Sequence, residues 1–175
     1  KSERPDFILS RDRLKVGIEL VEAVPENEAH KSVLRDKIDG PEFHFIDRAR
    51  LSDSKKPAKA LIAEIVADEP GEAWEGNSAE TEWCEVMAHF IEKKVIVASK
   101  PGFRKFEENW LLIYDNWPSP PLNYEIALPK LYHDLSNRNP WKVFDRIYIQ
   151  DESNMLELTE EKLSKYAVRH LRNEG

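Results

Sequence analysis

Two carboxylates and one lysine stand out by type and spacing. Pro5-Asp6 is followed after twelve residues by Glu19. Two hard oxygen donors beside a phosphate suit Mg²⁺ or Mn²⁺, since Mg²⁺ keeps several of its waters and needs few protein groups. An ion held there would polarise a phosphodiester, activate water and stabilise the leaving oxygen. In a chain with 33 acids a second reading competes, in which Asp6 caps a strand end and Glu19 faces solvent. Lys94 bears on the choice, because it lies seven residues after Met87, four after Phe90, three after Ile91 and four before Ala98. That spacing sets it on the apolar stripe of a helix, where lysine is rarely found. Either its stem snorkels past the stripe to water, or its ammonium reaches the acid pair. Lys93 points about 100° away around the helix and fits solvent. Glu22 falls on the strand face opposite Glu19 unless a bulge turns it inward as a third acid.

The elements that position these groups follow from hydrophobic period and punctuation. Residues 5–10 and 15–24 alternate as two strands around the polar turn Arg11-Asp12-Arg13, a β-hairpin that brings residues near Asp6 across from residues near Glu19. Pro25 opens a helix predicted over 26–38, stopped by Gly40. Residues 43–46 read as a short strand and 56–67 as a helix, within an irregular stretch at about 39–80 that is long for a helix connection and reads as an insertion. The clearest helical period runs over 80–99 and ends at Pro101-Gly102. Trp110-Leu111-Leu112-Ile113-Tyr114 is a continuous apolar run, expected as the sheet centre with both faces buried. A broken helix over 123–136, strands over 141–149 and 155–158, and a last helix capped by Thr159 with Glu160 and Glu161 complete a mixed α/β order.

The 175 residues fit one domain, 1–175, with a single core. With Cys84 as the single cysteine, no intramolecular disulfide or Cys-rich metal site can form, and Cys84 reads as packing. The five histidines lack zinc-ligand spacing, and no Walker loop, Gly-x-Ser-x-Gly elbow or dinucleotide fingerprint occurs. No apolar run approaches the roughly 18 residues of a membrane span, so a soluble, cytoplasmic protein is expected. The net charge of −7 argues against broad nonspecific nucleic-acid affinity. One segment runs the other way: residues 92–105 carry Lys93, Lys94, Lys100, Arg104 and Lys105 against Glu92, a local +4 that leaves −11 elsewhere. Those basic residues would contact a nucleic-acid backbone beside Lys94, or simply be solvated.

Pro5-Asp6 followed by Glu19-Leu20-Val21 resembles the proline-aspartate strand and acid-x-lysine strand of the PD-(D/E)xK nuclease superfamily, with Val21 standing where the lysine is usual. Some branches carry that lysine on the following helix, and Ile91-Glu92-Lys93-Lys94 looks like such a migrated position. The 110–114 strand resembles the core strand after that helix. The resemblance covers residues 5–115 and implies a restriction-endonuclease-like α/β fold, a mixed central sheet flanked by helices. It implies Asp6 and Glu19 as metal ligands, Lys94 as the third catalytic residue, and Mg²⁺-dependent cleavage of DNA rather than RNA. Many nucleases of this fold form homodimers to cut both strands. The rival expectation is an inactive protein on the same scaffold, a toxin-neutralising or assembly partner whose acidic surface engages a basic protein.

Overall fold

Alternating side chains and a tight turn make the first two strands a hairpin. In the computed structural model, which describes residues 5–12, 14–38, 44–151 and 153–168, β1 (Phe7–Arg11) pairs antiparallel with β2 (Leu14–Ala23). Phe7 lies opposite Ile18 and Arg11 opposite Leu14, and Asp12 takes a φ of 54°, a left-handed conformation that Asp tolerates. Three helices follow: α1 (Glu26–Arg35), α2 (Ala58–Ala67) and α3 (Ser78–Ala98). The chain then returns as β3 (Glu108–Asp115), parallel to β2, with Leu111 beside Glu19. Helix α4 (Tyr124–Arg138) crosses to β4 (Arg146–Gln150), parallel to β3, and β5 (Asn154–Leu158) and β6 (Leu163–Ala167) add antiparallel strands. The six strands lie in chain order, a mixed sheet of α/β class.

Because β2, β3 and β4 advance in one direction, their crossover helices α3 and α4 share one face of the sheet. Leu111, Ile113, Ile147 and Ile149 point to that face and are buried with Trp83, Met87 and Ile91 of α3 and Leu131 and Leu135 of α4. The opposite face is partly open: Phe7, Leu9, Leu20, Tyr114 and Tyr166 are each at least 40% exposed, while Val16 and Glu157 on the same face are buried. The expectation that 110–114 is buried on both faces is therefore corrected. Leu111 and Ile113 are buried, whereas Trp110 and Leu112 are only partly covered. Trp110 stays half-covered because it packs edge-to-face on Tyr148 and under the Arg146 guanidinium.

Other expectations shift. The last helix is replaced by β6: the Thr159 hydroxyl accepts from Lys162 N–H at 3.2 Å, and Thr159 N–H donates to the Lys162 carbonyl, closing a β-turn instead of opening a helix. The strand expected over 141–149 begins at Arg146, because Pro140–Lys142 forms a 3₁₀ turn that plugs Val143 and Phe144 into the core. Residues 44–46 are irregular, while Phe43 and the helix stop at Gly40 lie outside the described residues. No helix among the described residues is long and apolar enough to cross a membrane.

Beside the sheet, α1, α2 and residues 44–50 enclose a cleft of about 810 Å³ that Phe90 and Trp117 also line. At its floor Lys31, 3% exposed, meets Asp47 Oδ2 at 2.5 Å, Glu28 Oε1 at 3.0 Å and Glu64 Oε2 at 3.1 Å.

Candidate functional site

The hairpin register places Asp6 one step beyond the Phe7–Ile18 pair, level with Glu19. The Asp6 carboxylate accepts the Leu20 N–H through Oδ2 at 2.8 Å, which fixes it at the strand entrance. Glu19 shares its strand face with Ala23, which is fully buried, and so points toward the helix layer; its side chain is 8% exposed. There it meets Lys94. Nζ lies 2.8 Å from Glu19 Oε2 and 3.7 Å from Asp6 Oδ2, joining groups separated by 75 residues in the chain. The lysine stem runs along the stripe that Met87, Ile91 and Ala98 bury, and its ammonium reaches the acids instead of snorkelling past them to water. Asp6, nearly half exposed, leaves the cluster open on one side.

Glu22 is not brought in. No bulge interrupts β2, so it points to the other face, exposed, and accepts from Asn116 Nδ2 at 2.5 Å. The basic residues divide. Lys93 lies over the Phe90 ring at 5.6 Å and lines the cleft on the far side of α3. Lys100 is exposed just past the end of α3. Lys105 Nζ reaches the Lys142 carbonyl at 3.5 Å. Arg104 stays on the acid side, its guanidinium 4.8 Å from the centre of the Phe106 ring.

Phe106, which no motif singles out, packs against the hairpin beside the acid pair. Asn109, buried at the start of β3, accepts from Phe106 N–H at 3.1 Å and donates to the Phe106 carbonyl at 3.2 Å. Thus held, the ring lies on Gly17, where a Cβ would stand 2.7 Å from Phe106 Cδ2 and 3.2 Å from Pro5 Cγ. A glycine inside a strand marks such a close approach, and that was the available signal. Gly17→Ala is expected to lower stability by about 1–3 kcal/mol through overpacking. Urea denaturation checks this, and combining it with Phe106→Leu, which makes room for the methyl, should recover part of the loss.

The donor set around Asp6 and Glu19 is two carboxylates with access for water, which fits a hard divalent ion such as Mg²⁺ or Mn²⁺. Among the described residues no group of three or more His, Cys, Asp or Glu side chains is placed to hold a metal ion. Burial pushes the Asp115 carboxyl up to about 6, although it accepts from Trp83 Nε1 at 2.6 Å and Trp117 N–H at 3.1 Å. Burial likewise pushes the Cys84 thiol up to about 12, leaving it a poor nucleophile at neutral pH. No family model, curated protein or solved structure matches this chain.

Proposed function

We propose that the chain is a metal-dependent nuclease of the restriction-endonuclease-like fold that cleaves phosphodiester bonds in DNA. The observation that carries the reading is the meeting of Lys94 with Glu19 and Asp6 across 75 residues of chain. The order of elements adds support: an acid-bearing antiparallel hairpin, a long helix supplying the lysine, then an apolar strand parallel to the hairpin's second strand. In this reading Asp6 and Glu19 hold Mg²⁺ or Mn²⁺, which when bound supplies polarisation of the scissile phosphate and stabilisation of the leaving oxygen. Glu19, shielded from water, gives the fixed carboxylate, and Asp6 is steadied by the Leu20 N–H. Lys94 orients the attacking water or meets charge developing on the phosphate. Arg104, stacked on Phe106 beside Pro5, takes a flanking phosphate, with Lys100 and Lys105 further along the same basic segment.

Calorimetry with Mg²⁺ or Mn²⁺ tests the reading, comparing the chain with Asp6→Ala and Glu19→Ala variants verified as folded by circular dichroism. Binding by the parent chain that is lost in both variants, followed by cleavage of a DNA oligonucleotide in the parent alone, is the expected result. No binding even with oligonucleotide present would overturn it. The reading would then pass to a protein without nuclease activity, whose acidic surface engages a basic partner.

A further inference from the structure

The two edges of the sheet are built differently. At one, β6 carries Lys165 and follows Lys162, the charged guards that keep an edge strand from pairing with another chain. At the other, β1 carries its one charge, Arg11, only at its end beside the turn, after the uncharged run Phe7-Ile8-Leu9-Ser10. Phe7 is 56%, Ile8 45% and Leu9 52% exposed. Its outward backbone groups can be identified. The Leu20 N–H points toward the β1 side, where Asp6 accepts it, so by alternation Ile18, Val16 and Leu14 also direct their backbone groups to β1. Their partners Phe7, Leu9 and Arg11 are thereby paired within the hairpin. Ile8 and Ser10 turn their N–H and C=O outward, with no strand beyond them among the described residues.

We propose that β1 pairs antiparallel with β1 of a second copy, making one continuous sheet across a two-fold axis. Outward groups must meet outward groups, which leaves few registers. Centring the axis on Leu9 would oppose Asp6 to Asp12 of the second copy, and like charges directly opposite are destabilising. Centring it on Ile8 opposes Ile8 to itself, Asp6 to Ser10 and Phe7 to Leu9, free of like charge. The Ile8 register also joins each copy's exposed Phe7 and Leu9 to Ile18 and Leu20 in one apolar band on the open face. The strand is thus self-complementary, as a two-fold interface requires, and this is what selects a second copy over an unrelated peptide. The axis stands perpendicular to the sheet, so both helix layers share a side. Strand rise and spacing then set the two Asp6 positions roughly 14 Å apart. The pairing rests on the edge strand alone and holds whether or not the acid pair is catalytic.

Sedimentation of the full chain from about 1 to about 100 µM tests it, since association is concentration-dependent. The expected result is a mass rising from 20.4 kDa to twice that value. Ile8→Pro removes an outward N–H without touching the hairpin bonds, and Phe7→Lys places a charge in the apolar band; both should sediment as monomers with unchanged circular dichroism. Hydrogen exchange needs no variant: the Ile8 and Ser10 amides should exchange slowly at high concentration and fast on dilution. A parent chain at 20.4 kDa throughout, or a dimer that persists in both variants, overturns the proposal. So does fast exchange of both amides at every concentration.

Discussion

Glu19→Gln is expected to abolish divalent-ion binding and to lower DNA cleavage by about 10²- to 10³-fold or more, whereas Lys94→Ala should lose cleavage as deeply while keeping the ion. The difference follows from the charges. Glu19 supplies a shielded anionic oxygen, and its neutral amide isostere leaves Asp6 as the single carboxylate. Lys94 supplies no donor electron pair while charged; its ammonium lies 2.8 Å from Glu19 and 3.7 Å from Asp6, where it offsets part of the negative charge that attracts a cation. Removing it takes the cluster from −1 to −2, so Mg²⁺ or Mn²⁺ affinity should hold or rise while turnover falls. Calorimetry and single-turnover cleavage on the same samples read the two effects separately. Equal loss of ion binding in both variants would mean that Lys94 only props up Glu19, and would remove it from the chemistry.

Lys31→Met is expected to cost about 3 kcal/mol or more of folding stability at neutral pH, a large share of a typical domain's margin. Three carboxylates from three parts of the chain converge on this one buried ammonium: Glu28 on α1, Asp47 on the following segment and Glu64 on α2. Burial alone would push Lys31 toward neutrality, but its hydrogen bonds with Asp47, Glu28 and Glu64 outweigh that and hold its pKa above the ordinary lysine value. A methionine fills the space and leaves three anions facing one another. Asp47 and Glu64 are each more than a third exposed, and water screening there sets the cost near the lower end of the range for breaking buried pairs. The pH dependence has a definite sign. Burial opposes the charge on Glu64, yet its hydrogen bonds from Lys56 and Lys31 depress its pKa, so it contributes stability that is present above the ordinary glutamate value and lost as pH falls below it. In the variant the acids repel, and protonation relieves them. The gap between parent and variant in urea midpoints should therefore narrow as pH drops below the ordinary glutamate value.

The acid pair was legible because a hairpin of two alternating strands around a polar turn admits essentially one register, and that register sets Asp6 against Glu19. Lys94 was legible for a different reason: a charged residue at the helical spacing of Met87, Ile91 and Ala98 is a local conflict that calls for a partner. What the residues did not announce depended on distant context. Thr159-Glu160-Glu161 carries the same signals for a helix start as for a turn, and only the neighbouring strand β5 decides between them. The burial of Lys31 could not be read from α1, since the acids that neutralise it lie mostly on other elements. Nor could the open face of the sheet be seen in Trp110–Tyr114, whose apolar run has the same appearance whether a helix layer or other aromatic rings cover it.

The strand order also has a history to tell in time. Every strand hydrogen-bonds to its neighbour in sequence, but the steps differ in length: closing the hairpin that joins Asp6 to Glu19 spans only 14 residues from Asp6 to Leu20, whereas pairing β2 with β3 crosses three helices. Lys94 arrives only after a loop of 75 residues has closed. The two carboxylates are therefore expected to meet before the lysine that offsets half of their charge. Millimolar Mg²⁺, which competes with the Lys94 ammonium for the same two carboxylates, should slow the docking of α3 in stopped-flow refolding, and phi values should be high for substitutions in β1 and β2 and low at Lys94.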